Sequence, residues 1–183
     1  MYNITWNDFI GKNSNNLTGA FEDLARYLFR KKYDVSDALP YFKNHPGNET
    51  AVIKHGNEVI GFQAKYFENE IDGANIIHSI KRAKEWYPDQ TLLVIYTNKE
   101  FGIPKTKGKI TSQKQDNIQK VAKELGIRLE WMFGDNILDV VKDTPVVYDI
   151  FFNQKSHLQH LNHDLEECNG AKFSRINDSI KYG

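Results

Sequence analysis

The stretch Thr91-Leu-Leu-Val-Ile-Tyr96 most narrows the folds open to this chain. A strand with one face in water alternates apolar and polar residues, whereas an unbroken apolar run needs cover on both faces. Helical patterns on either side of the run can supply that cover. From Leu17 to about Lys32, residues Phe21, Leu24, Ala25, Leu28 and Phe29 recur at i, i+3, i+4, i+7 and i+8. From about Gly73 to Tyr87, residues Ile76, Ile77, Ile80, Ala83, Trp86 and Tyr87 repeat that spacing until Pro88 stops it. Between them, residues 47–66 read as a β-hairpin turning near Gly56-Asn57.

The rest of the chain is punctuated in the same way. Residues 1–16 are polar and Asn-rich, with Trp6, Phe9 and Ile10 as a small apolar anchor, and residues 33–48 are a loop holding Pro40, Pro46 and Gly47. A Gly/Pro/Lys loop at 98–111 precedes Ser112, which is placed to cap a helix reaching about Leu125, where Gly126 ends it. Ile127 to Met132 reads as a strand, Asn136 to Val141 as a short helix, and Pro145 to Phe152 as a last strand or extended packing segment. The order predicts an α/β fold: a mixed sheet flanked by helices on both faces.

Composition limits the functions open to the chain. With 183 residues, 40% apolar and 13% aromatic, it can bury a full core in one domain. The formal net charge is zero, so any nucleic-acid contact must come from a local patch. The single cysteine, Cys168, rules out an internal disulfide and fits a reducing compartment. No apolar run approaches the roughly 20 residues of a membrane span, and no basic segment leads into a signal-peptide core. The expectation is a cytoplasmic protein without a membrane partner. A domain over 1–153 is expected, with 154–183 as a polar helical linker or tail. Leu158, Leu161 and Leu165 form a narrow stripe there.

The hairpin carries the chemistry. Glu49 stands at its mouth, and Gln63 and Lys65 share one face of its second strand while Phe62, Ala64 and Tyr66 take the other. Phosphodiester hydrolysis needs an activated water, neutralised phosphoryl charge and help for the leaving group. Mg²⁺ held by hard oxygen ligands can supply all three. Glu49 is the charged ligand in this reading, Gln63 a carbonyl ligand, and Lys65 the stabiliser of charge at the phosphate. The pleat raises an objection. A two-residue Gly56-Asn57 turn pairs Glu49 with Ala64 and sends it to the core face. A three-residue loop over Gly56–Glu58, or a bulge, would pair it with Lys65 instead.

The stretch Pro46-Gly47-Asn48-Glu49 through Gly61-Phe62-Gln63-Ala64-Lys65-Tyr66-Phe67 resembles the PD-(D/E)XK restriction-endonuclease-like superfamily. Within it, the chain is similar to the Mrr-like branch, where Gln replaces the usual acid. With Leu17-Thr18-Gly19-Ala20-Phe21-Glu22-Asp23-Leu24, it looks particularly like the N-terminal nuclease domains of bacterial antiviral STAND NTPases. The resemblance covers about residues 15–135, and Glu49 departs from the commoner Asp. It implies a restriction-endonuclease-like fold and a Mg²⁺-dependent endonuclease for double-stranded DNA, with Mn²⁺ able to substitute. It also implies a homo-oligomer, a dimer or larger, acting as the effector of an antiphage defence protein. Carried over, Glu49 is a metal ligand, Gln63 the second ligand and Lys65 the catalytic lysine. A non-catalytic nucleic-acid-binding or oligomerisation module with a degenerate fold, or an RNA-directed nuclease, stands as the alternative.

Other residues keep two readings. Glu22 is either a third, water-mediated metal ligand or a surface partner for Arg26 at i+4. His78 and Ser79 face the site or solvent. Lys105, Lys107, Lys109 and Lys114 lie in a lysine-rich stretch suited to phosphate contact, or form a solvated face. His157, His160 and His163 step by three residues and drift around a helix, so with Cys168 they suit a solvated tail better than zinc.

Overall fold

The apolar run and its flanking helices come together in the computed structural model, which describes residues 4–35, 47–102 and 111–154. Among the described residues, six helices and four strands follow one another: α1 (Trp6–Lys12), α2 (Leu17–Tyr33), β1 (Ile53–His55), β2 (Glu58–Lys65), α3 (Gly73–Trp86), β3 (Leu92–Thr97), α4 (Gln113–Glu124), β4 (Arg128–Met132), α5 (Gly134–Lys142) and α6 (Pro145–Phe151). The strands form one sheet in the order β1-β2-β3-β4. The β1–β2 pair is antiparallel, and β2–β3 and β3–β4 are parallel. Each parallel step is made through a helix, α3 or α4, as parallel neighbours require.

Alternation along β2 and β3 divides the core in two. Ile60, Phe62, Ala64, Leu92, Val94 and Tyr96 face a layer built from α1, α2, α5 and α6. Leu93 and Ile95 face the other layer, with Ile76, Ile80, Ile118 and Ala122 from α3 and α4. Every residue of β3 is buried, the double cover its composition demands. Aromatic side chains knit the first layer: Phe62 stacks on Phe29 with ring centroids 4.6 Å apart, and Trp6, Phe9, Phe21 and Phe152 touch one another.

Helix ends follow local chemistry. Asn16 caps α2 by accepting from the Gly19 N–H, Asp72 caps α3 through Ala74 and Asn75, and Ser112 caps α4 through Gln115. Gly126, at φ 70°, makes the turn after α4.

One expectation fails, and one segment gains a structure not anticipated. Residues Pro145–Phe151 are helical, not extended. Proline opens the helix, Val147 and Phe151 are buried four residues apart, and Val146 and Ile150 face outward at 58% and 51% exposure. The N-terminal anchor is also a helix, its start fixed by Asp8, whose carboxylate accepts from both the Thr5 N–H and the Thr5 hydroxyl at 2.8 Å. Among the described residues, no helix is long and apolar enough to cross a membrane. The expected tail helix, with its leucine stripe, histidines and Cys168, lies outside the described residues.

Candidate active site at the edge of β2

The site begins with a break in the hairpin ladder. Its turn is the two-residue one: His55 pairs with Glu58, Lys54 with Val59 and Ile53 with Ile60. Continued, that register would set Glu49 against Ala64. Instead the Glu49 N–H donates to the Phe62 carbonyl at 2.9 Å. The chain from Glu49 to Ile53 therefore runs four residues against two of β2, and the ladder is interrupted over Ala51-Val52, which carries no strand pairing. The expectation that a loop or bulge would pair Glu49 with Lys65 is corrected here, because the added residues shift the register toward Phe62.

That displacement leaves the edge N–H of Ala64 without a backbone acceptor among the described residues. Glu49 fills the gap with its side chain: Oε1 accepts the Ala64 N–H at 3.1 Å and also the Gln63 side-chain amide. The carboxylate is thus fixed to the sheet edge, beside Gln63 and next to Lys65. Both recorded bonds fall on Oε1, so among the described residues Oε2 has no protein donor.

The segment bearing Glu49 is anchored by its two predecessors. Gly47 has φ 78°, and a Cβ there would collide with the backbone of Ala83 in α3, so only glycine permits this approach. Asn48 is fully buried and donates to Gln90 Oε1 at 2.9 Å, while Gln90 donates to the Leu92 carbonyl at 3.0 Å. Gly61 makes room for this amide pair, since a Cβ on it would overlap Asn48 and Gln90. The Gly-Asn-Glu sequence thus acts as a clamp: glycine against α3, asparagine against the α3–β3 turn, glutamate against β2.

A cavity of about 620 Å³ opens beside this clamp, between the start of α2, the end of β2 and one side of α3. Glu49, Gln63 and Lys65 line it together, and Glu22 joins them from α2. Arg26 donates to Asp23 at 2.6 Å. The α3 wall presents Asp72, Asn75, His78, Ser79 and Arg82. Ser79 is buried and His78 exposed, and both belong to the cavity. Sequence reasoning singled out neither Asp72, Asn75 nor Arg82. Asn75, Ser79 and Arg82 do repeat at helical spacing beside the buried Ile76, Ile80 and Ala83 stripe, a pattern that marks one polar flank of α3.

Charge is unevenly matched in this cavity. Burial pushes the Glu49 carboxyl up to about 7, with nearby Glu22 adding to the effect, while the Ala64 N–H, Lys65 and Gln63 pull it back. Burial likewise lowers the Lys65 ammonium from its ordinary value, against the attraction of Glu49, Glu22 and Asp72. Three carboxylates thus meet two cationic side chains, Lys65 and Arg82.

Of the expected nucleic-acid contacts, one falls among the described residues. Lys114 is on α4, where its ammonium binds Glu70 at 2.8 Å and the Ile71 carbonyl at 2.8 Å, bracing the segment that leads into α3. Lys105, Lys107 and Lys109 lie outside the described residues. Among the described residues, no group of three His, Cys, Asp or Glu side chains converges to hold a metal. No protein-family model matches the chain, and no curated protein matches it.

Proposed function

We propose that the chain is a metal-dependent endonuclease that hydrolyses phosphodiester bonds of double-stranded DNA, with Glu49, Gln63 and Lys65 as its catalytic set. The observation that carries this reading is their convergence, with Glu22, on one polar cavity at the edge of a mixed sheet. An antiparallel hairpin leading into parallel strands, with helices on both faces, supports a restriction-endonuclease-like assignment for the fold. The assignment as effector of an antiphage defence protein, working in the cytoplasm as a dimer or larger assembly, belongs to the same proposal. Cutting both strands calls for two sites, which symmetric association supplies.

The donor set fits a hard divalent cation. Mg²⁺ needs only one or two protein carboxylates because it retains several waters, so the lack of a three-residue acidic cluster is no obstacle. Glu49 offers Oε2, Glu22 offers a second carboxylate, and rotating the Gln63 amide exchanges its N–H for its carbonyl oxygen. Bound Mg²⁺, or Mn²⁺ in its place, would polarise the phosphate and acidify a bound water. The cavity's own charge favours such an ion: Glu22, Glu49 and Asp72 outnumber Lys65 and Arg82, and a divalent charge would offset the cost of ionising the buried Glu49. Lys65 is then positioned to stabilise charge developing on the phosphate oxygens, in a half-buried setting where its ammonium acts more strongly than in water.

A second reading draws on one feature. The Gln63 amide nitrogen, rather than its oxygen, faces the Glu49 carboxylate, an arrangement already satisfied without any ion. A degenerate fold serving as a nucleic-acid-binding or oligomerisation module would keep that closed pair.

Cleavage of supercoiled plasmid in Mg²⁺, Mn²⁺ or EDTA separates the two. Nicking or linearisation that needs metal, and drops by about a hundredfold or more in both Glu49→Ala and Lys65→Ala, supports the nuclease. DNA binding with no cleavage, including by a protein fused to a dimerising partner, would favour the module. A preference for RNA in the same assay would redirect the substrate while keeping the site.

A further inference from the structure

We propose that α3 is the substrate-gripping wall of this cavity, with Arg82, His78 and Asn75 holding the sugar–phosphate backbone of one polynucleotide strand. The inference rests on the nuclease reading and adds the part of the substrate the site holds. Glu49, Gln63 and Lys65 stand on the sheet-edge wall of the cavity, and Asn75, His78 and Arg82 on the helical wall opposite. These three positions recur at i, i+3 and i+7, so they share one flank of the helix. At about 1.5 Å per residue they span roughly 10 Å along its axis. Successive phosphates of a strand are spaced more widely than the roughly 3.4 Å axial rise of the duplex, so the flank is long enough to face more than one phosphate. A single mononucleotide does not need such a row.

The geometry also ties the two walls together. Gly47 lies against the backbone of Arg82 and Ala83, so the contact that delivers Glu49 fixes the base of the Arg82 side chain. Arg82 donates to Glu85 at 3.1 Å, in an exposed i, i+3 pair whose side chains keep 38% and 63% of their surface. Such a pair is weak and easily exchanged for a phosphate, to which a guanidinium can donate two parallel bonds. Asn75 and His78 are exposed on the same flank and supply hydrogen-bond donors, which position a strand without reading its bases.

The test is the salt dependence of affinity for a fluorescein-labelled 20-base-pair duplex, measured by anisotropy in EDTA from low to moderate salt. Arg82→Ala should weaken binding roughly tenfold and reduce the slope of log affinity against log salt by about one. Arg82→Lys should restore most of the slope. Glu85→Ala should leave binding unchanged or tighten it, because it removes the competitor for the guanidinium. If Arg82 serves only its ion pair with Glu85, the two alanine variants will behave alike and the wild-type slope will persist, which overturns the inference. Wild-type plasmid cleavage, followed in parallel, keeps the failures apart. Metal-dependent cleavage with an unchanged Arg82→Ala slope sinks the α3 grip alone. A lost slope without any cleavage by wild type sinks the nuclease and leaves the grip. A wild type that binds no duplex even at low salt overturns the grip.

Discussion

Replacing Glu49 with glutamine should make the protein more stable above neutral pH while disabling its site. The Glu49 carboxyl is 8% exposed and lifted from an ordinary 4.5 to about 7. Between those values the unfolded chain has released the proton while the native protein keeps it, so the native state binds more protons and stability falls as pH rises. Below 4.5 both states are protonated and the penalty vanishes. Above 7 it is complete. At about 1.36 kcal/mol per unit, the buried charge costs on the order of 3 kcal/mol. Glutamine has the same shape and keeps an oxygen for the Ala64 N–H, so Glu49→Gln should remove most of that cost.

The assay is urea unfolding of wild type and Glu49→Gln in EDTA at intervals from pH 4.5 to 8.5. The two curves should coincide near pH 4.5 and separate progressively, with the variant more stable by about 3 kcal/mol at pH 8, or roughly 6–12 °C in Tm for a chain this size. Mg²⁺ should then close most of the gap. It stabilises wild type by about 2.7 kcal/mol at a hundred times its Kd and leaves the variant unmoved. Parallel curves across the whole pH range would refute the placement of Glu49 as a buried, charge-strained carboxylate. A Mg²⁺ response equal in both proteins would refute its role as the cation ligand.

Four further outcomes follow from the packing. Gly61→Ala should cost about 1–3 kcal/mol in urea unfolding and lower plasmid cleavage, because its methyl displaces the Asn48–Gln90 pair that sets Glu49. Gly47→Ala should be worse on both measures, since the left-handed backbone at φ 78° adds strain to the collision with α3. Phe62→Ala should cost about 3–5 kcal/mol, from a fully buried ring stacked on Phe29. In α6, Val147→Ala should destabilise by more than 1 kcal/mol and Val146→Ala by less than about 0.5 kcal/mol; equal effects would speak against the helical facing.

Much of the layer order was legible because its patterns are long and answer to one physical demand each. β3 is apolar throughout, and α2 and α3 carry stripes that only a helix aligns. Short elements were harder. In α6 the inward Val147 and Phe151 alternate with outward Val146 and Ile150, so the segment reads as β-branched and apolar, and periodicity over seven residues cannot separate strand from buried helix. For α1 the signal was present in Thr5 and Asp8, the spacing of a capping box, but a seven-residue helix offers little stripe to confirm it.

The site divides along the same line. Gln63 and Lys65 were placed correctly on one face because strand alternation is rigid. Glu49 was not, because its position depends on where the hairpin ladder breaks, and that is decided by contacts distant in sequence: Gly47 on Ala83 and Asn48 on Gln90. Once the backbone leaves the ladder at Ala51-Val52, the Ala64 N–H needs an acceptor, and the one side chain that the clamp brings there is a carboxylate. The register objection to the site is met in this way. A continuous two-residue hairpin would have directed Glu49 to the core face, whereas the break lets the carboxylate substitute for a missing strand residue and face the cavity from the edge. Closing the break should test this directly. Deleting Ala51 and Val52 together straightens the ladder, which pairs Glu49 with Phe62 in regular strand and, by the pleat, turns its side chain to the core face. The shortened protein should keep its sheet by far-ultraviolet circular dichroism while losing the Mg²⁺-dependent gain in stability. Retention of that gain would mean that the carboxylate reaches the cation without the break.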